Sequence, residues 1–165
     1  MVTLYNVVSD DGFVARENGD EDFIPDELWD DFLVLCGQNE TVVMGKETYW
    51  SVQEYPRNLI KRFESLDLRR VVVTRDVNFF AKPGYVVLSS PEDVLALGGN
   101  ILISSGPTLN AVFLEKALVD RVILNILPKR IGSGIKAFEN EPNLVLEKEE
   151  AKSQGGKWQF YLVKK

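Results

Sequence analysis

The order in which strand-type and helix-type segments follow one another constrains this 165-residue chain more tightly than any single motif. "VTLYNVV" at residues 2–8 is a β-type run, closed by the Asp-Gly turn signal of "SDDGFVA". In "IPDELWDDFLVLCG", Pro25 stands before or at a helix start, acids fill the first turn and Gly37 is the stop. Leu28, Phe32 and Leu35 recur there at helical spacing and mark the buried stripe. From "TVVM" onward, strands and helices alternate. A helix runs from about Lys46 and another occupies "RNLIKRFESL"; strands fill "RRVVVTRD" and "GYVVLSS". "SPEDVLAL" is a capped helix, "NILISS" a strand and "GPTLNAVFLEKAL" a helix with Pro107 near its first position. After that only strands follow, at 120–127, 143–148 and 157–164, the last two joined through "AKSQGGK" as a hairpin. Residues 15–24 are acidic, glycine-bearing and aperiodic, and read as a surface loop.

Alternation of this kind builds right-handed crossovers and a parallel sheet covered by helices on both faces. The terminal hairpin adds an antiparallel edge, so the expected fold is α/β with a mixed, mostly parallel sheet. One domain spanning residues 1–165 is long enough for the core this requires.

Composition then narrows the chemistry. The chain has no histidine, which removes Ser-His-Asp and Cys-His triads and His-ligated zinc. Acid–base work is left to Asp, Glu, Tyr, Lys or water. The one cysteine, Cys36, sits in an apolar helical stretch; it excludes an internal disulfide and any multi-thiolate metal site, and no metal is expected. A net charge of −6 argues against nucleic-acid binding. No apolar run approaches a membrane span and no leader pattern opens the chain, so a cytoplasmic protein without a membrane partner is expected.

In open α/β sheets ligands gather at the carboxyl ends of the strands. Three such ends are well equipped here. "VVM" delivers Gly45, Lys46 and Thr48; "VVV" delivers Thr74 and Arg75; "ILI" delivers Ser104, Ser105, Gly106, Pro107 and Thr108. The first and third lead straight into helices, whose free amides and positive dipole end suit phosphate. Each corner alone is more simply a glycine connecting strand to helix. Three together point to a dinucleotide, although none is a G-x-G-x-x-G fingerprint or a Walker loop.

At these residues a family resemblance enters. "VVMGKETYWSV" resembles the strand-to-helix segment of dihydrofolate reductases. "SDDGFVA" resembles the opening of the related reductase domain of riboflavin synthesis, and "SSGPTLNAVFLEKALVDRVILNILP" and "IGSGIKAF" are similar to that wider superfamily, in order. The resemblance implies a dihydrofolate reductase-like three-layer α/β/α fold, with about eight strands and a C-terminal antiparallel hairpin. It also implies hydride transfer from NADPH.

Carried over residue by residue, it makes Gly45, Lys46 and Thr48 cofactor contacts. It sets Thr74 and Arg75 by the 2′-phosphate, and Ser105, Gly106, Pro107 and Thr108 by the pyrophosphate. Val7 and Val14 would flank the nicotinamide, with residues 10–23 as a lid. "IPDEL" selects Glu27 as the acid that polarises a pterin, with Asp30 and Asp31 competing for the role. Tyr5 and Phe32 join Glu27 as substrate contacts, and Arg69 or Arg70 is the candidate anchor for a folate tail.

Two departures stand out. Ser104-Ser105 replaces the usual Gly-Gly pair, and the stretch from Lys46 to Thr74 is longer than in compact dihydrofolate reductases. The leading expectation is reduction of dihydrofolate. Its enzymatic rival, favoured by "DGFVA" and "GPTLN", is reduction of a phosphoribosylamino-pyrimidine. A nucleotide-binding module without catalysis is the third reading. Nothing in the sequence fixes the oligomeric state, and a homodimer stays open.

Overall fold

A computed structural model describes residues 1–152 and 155–165. In chain order the elements begin with β1 (Val2–Val8), β2 (Phe13–Ala15), α1 (Leu28–Cys36), β3 (Thr41–Gly45) and α2 (Lys46–Gln53). There follow α3 (Arg57–Glu64), β4 (Arg69–Val73), β5 (Tyr85–Leu88), α4 (Pro91–Leu95) and β6 (Ile101–Ile103). The chain ends with α5 (Pro107–Glu115), β7 (Arg121–Ile126), β8 (Ile135–Lys136), β9 (Leu144–Ala151) and β10 (Lys157–Val163). The architecture is three-layer α/β with an eight-stranded, mostly parallel sheet. Two compact units divide the chain: Met1 with Asp26–Ser105, and Val2–Pro25 with Gly106–Lys165.

The first unit contains four parallel strands in the order β5-β4-β3-β6. Val42 and Val43 point to opposite faces of β3, yet both are 0% exposed, as are Val71 and Val72 on β4. A strand buried on both faces reads as an unbroken apolar run, which is why "TVVM" and "RRVVV" are β-type without alternation. Ser90 caps α4 by accepting from the Asp93 amide at 3.2 Å, with Pro91 in the first turn as expected. On α1 the helix begins at Leu28 rather than at Pro25, residues 26 and 27 forming a turn before it.

The second unit orders its strands β1-β7-β10-β9. β1 and β7 are parallel, while β10 runs antiparallel to both β7 and β9. The expected terminal antiparallel edge is thus present; the connection expected through "AKSQGGK" includes residues 153 and 154, which lie outside the described residues. A second, two-stranded sheet of β2 and β8 had not been expected. At three and two residues its strands are too short to show a period in sequence.

Candidate functional site

In the first unit, β3 hands over to α2 at Gly45, an N-cap with extended backbone (φ −82°, ψ 170°) and no side-chain cap on the helix. The Gly45 amide donates to Ser105 Oγ at 3.0 Å, and the same hydroxyl lies 3.3 Å from Thr48 Oγ1. Ser105 is buried, so its hydroxyl acts as a strut between the end of β6 and the start of α2. This gives Ser105 a structural use where the resemblance expects glycine.

Lys46 Nζ lies 3.1 Å from Asp76 Oδ2. The Lys46 ammonium, with help from the Asn78 amide, holds the Asp76 carboxyl below its ordinary range. Thr74 continues the β4–β5 ladder by donating its amide to Leu88 O, and its hydroxyl accepts from the Asp76 amide at 3.1 Å. Arg75 beside it is exposed and makes no ion pair among the described residues.

In the second unit, Gly106 caps α5 with Pro107 in the first turn. Its backbone (φ −77°, ψ 177°) is open to any residue, and a Cβ placed there meets no atom of the described residues within 4 Å. Neither backbone strain nor internal packing requires glycine at this point. α1 and α3 also lack side-chain caps, but α2 and α5 differ in following a parallel strand through a glycine. Val7 is the single half-open residue in the otherwise buried β1. Val14 is buried in a cluster with Val8, Ala15 and Ala137. Tyr5, 2% exposed, accepts a hydrogen bond from Asn125 Nδ2 at 3.2 Å.

The 10–23 segment is anchored through its first half. Asp11 Oδ1 accepts from Ser9 Oγ at 2.7 Å and from the Ile131 amide at 3.2 Å; Oδ2 accepts from the Gly132 amide at 2.8 Å. The Ser9 hydroxyl first, then the two amides, hold the Asp11 carboxyl down at about 2 against an opposing desolvation. At Gly134 a Cβ would lie 2.2 Å from Ala15 O, so only glycine permits the approach of β2 to the chain before β8. "SDDGFVA" and "IGSGIKAF", far apart in sequence, are therefore two halves of one construction. Beyond β2, Arg16 pairs with Asp22.

The acid candidates separate by their partners. Glu27 is the exposed N-cap residue of α1; its carbonyl accepts from the Asp30 amide at 3.3 Å, while its carboxylate makes no hydrogen bond or ion pair among the described residues. Asp30 pairs at the surface with Arg62 at 2.5 Å. Asp31, on the same first turn, is partly buried. Phe32 packs against Trp29 and Phe63, with ring centroids at 5.2 and 5.9 Å. Arg69 begins β4, at the opposite end of the strand from Thr74, and its guanidinium donates to Leu97 O and Gly98 O. Arg70 is buried and donates to Phe63 O, Leu66 O and Leu68 O. The two arginines are occupied by backbone carbonyls.

Sequence reasoning passed over Lys129 and Arg130, which follow the carboxyl end of β7. Asp10 donates its amide to Lys129 O at 2.8 Å, and Arg130 Nη1 lies 3.7 Å from Asp10 Oδ2. Two adjacent cations in "LPKRIGSG" were the available signal. Among the described residues no cluster of metal-ligating side chains occurs, and no helix is long and apolar enough to cross a membrane.

A mixed sheet with this strand order, and glycine corners leading into α2 and α5, define a dihydrofolate reductase-like α/β protein. Dihydrofolate reductase from Enterococcus faecalis, complexed with NADP(H), superimposes with a TM-score of 0.71 at 14% identity, covering 100% of this chain and 97% of that one. Within that class the chain belongs to the RibD C-terminal domain family, a reductase-like family whose model matches residues 1–160. A putative riboflavin biosynthesis protein from Shewanella sp. PV-4 matches with a TM-score of 0.77 at 19% identity, over 99% of both chains. A diaminohydroxyphosphoribosylaminopyrimidine deaminase/5-amino-6-(5-phosphoribosylamino)uracil reductase from Thermotoga maritima gives 0.73 at 17% identity, over 99% of this chain and 56% of that one. An uncharacterized Bacillus subtilis protein, YwjB, is 26% identical over 152 residues, 85% of this chain and 83% of its own length.

Proposed function

We propose that this chain is an NADPH-dependent reductase acting on a phosphoribosylamino-pyrimidine or a close analogue. Family membership supports the reaction class and moves the substrate away from dihydrofolate, the leading expectation from sequence. Lys129 and Arg130 at the end of β7 support it independently, since a ribose phosphate calls for a second basic cluster at the strand ends.

Gly106 carries the cofactor part of the reading. A glycine that neither its own φ nor its neighbours demand leaves room for something from outside to approach the backbone. The uncapped amides of α5 beside it suit a pyrophosphate. In the other unit, taken by itself, the uncapped amides of α2 also suit a phosphate. Arg75, exposed and without an ion pair among the described residues, suits a 2′-phosphate. When bound, NADPH supplies the hydride. In a chain without histidine, the proton that accompanies the hydride comes from water.

Gly106→Ala tests this directly. Stability of the free protein should stay within about 1 kcal/mol, the loss at an N-cap offsetting the gain in chain stiffness. NADPH affinity, read from its fluorescence on titration, should fall by about tenfold or more, as an intruding methyl displaces a phosphate bond. Unchanged affinity would remove the phosphate from this corner.

Dihydrofolate reduction remains the second reading, on one observation. Glu27 presents an exposed carboxylate with no partner among the described residues, which is what a pterin edge requires.

A further inference from the structure

Asn110 lies in the first turns of α5 and is 0% exposed. Its Nδ2 donates to Asn6 Oδ1 at 2.8 Å and to Ala137 O at 3.1 Å. One amide group therefore ties the start of α5 both to β1 and to the backbone just after β8. Each tie ends beside a residue of the proposed cofactor site. Gly106 and Thr108 open α5, Asn6 precedes Val7, and Ala137 belongs to the cluster holding Val14 and Ala15.

An apolar residue could fill this space without the cost of burying an amide. An amide with both donor hydrogens engaged fixes direction as well as distance, which apolar contact does not. We infer that Asn110 is a positioning residue for the dinucleotide, holding the α5 amino end at a fixed height over β1. The Gly106–Thr108 turn and the wall formed by Val7 and Val14 then keep one spacing, matched to the pyrophosphate and the nicotinamide of a single ligand. This inference rests on the cofactor reading proposed above.

The experiment compares wild type, Asn110→Ala, Asn110→Ser and a control, Phe113→Leu. Phe113 is a fully buried residue of the same helix that takes no part in the node. Each protein is titrated with NADPH, its thermal midpoint is measured, and KM is determined for the pyrimidine substrate. Asn110→Ala should bind NADPH about tenfold more weakly, a mispositioned contact costing at least one order of magnitude, with the pyrimidine KM unchanged. Asn110→Ser should fall between it and wild type. Phe113→Leu should lose stability and keep wild-type affinity. Wild-type affinity in Asn110→Ala overturns the inference, and so does an equal loss in Phe113→Leu. If neither Asn110 variant folds, the node serves folding alone and the inference falls. A wild-type protein that does not bind NADPH overturns the cofactor reading itself, and this is seen before any variant is made.

Discussion

The Asp11 carboxylate gathers three donors from two loops whose residues lie about 120 positions apart in the chain. Its pKa falls from an ordinary 3.8 to about 2, chiefly through the Ser9 hydroxyl. A depressed carboxylate contributes stability that is complete above its unfolded pKa and lost as pH falls through the folded one. The gap in urea midpoint between wild type and Asp11→Asn should therefore hold steady above about pH 5 and close between about pH 4 and pH 2. A gap that persists undiminished at pH 2 would show that the charge is not what holds the two loops together. Sequence reading gave Asp11 only a turn, because its partners at 131 and 132 are invisible to local pattern. Ser105 was obscured differently: judged against an expected glycine, it looked like a defect, whereas its hydroxyl bonds the Gly45 amide.

β2 and β8 share one exacting contact, Gly134 against Ala15 O. The atom in the way is backbone, so no side-chain rotation relieves an added methyl. Gly134→Ala should cost about 1–3 kcal/mol, the usual penalty for overfilling a packed position, and hydrogen exchange should quicken at the amides of β2. A variant with wild-type midpoint and wild-type exchange would mean that the two strands separate freely. Long elements were legible because burial imposes a period or an unbroken apolar run on them. The helix starting with Lys46 and the strand Val2–Val8 came out within a residue of expectation. α1 starts at Leu28, with Pro25 before it as expected; proline and acids mark a helix entrance without fixing its first hydrogen bond. β2–β8 pairing, with no period to show, went unread, and the 10–23 segment was taken for a loop throughout.

At the scale of the whole molecule, strand–helix alternation followed by consecutive strands was enough to specify a mixed α/β sheet, and the ordered motifs were enough to specify the superfamily. Substrate was harder, for a physical reason: the glycine corners proposed to hold NADPH would serve any reductase that uses it, so they say nothing of what receives the hydride. The residues that bear on that choice, Glu27 on one side and Lys129 with Arg130 on the other, carry no distinctive spacing. The most direct test is to follow NADPH oxidation by absorbance, offering 5-amino-6-(5-phosphoribosylamino)uracil and dihydrofolate separately. The account predicts turnover of the pyrimidine, little or none of dihydrofolate, and a loss of rate when NADH replaces NADPH. Faster reduction of dihydrofolate, or NADPH bound with neither substrate reduced, would contradict it.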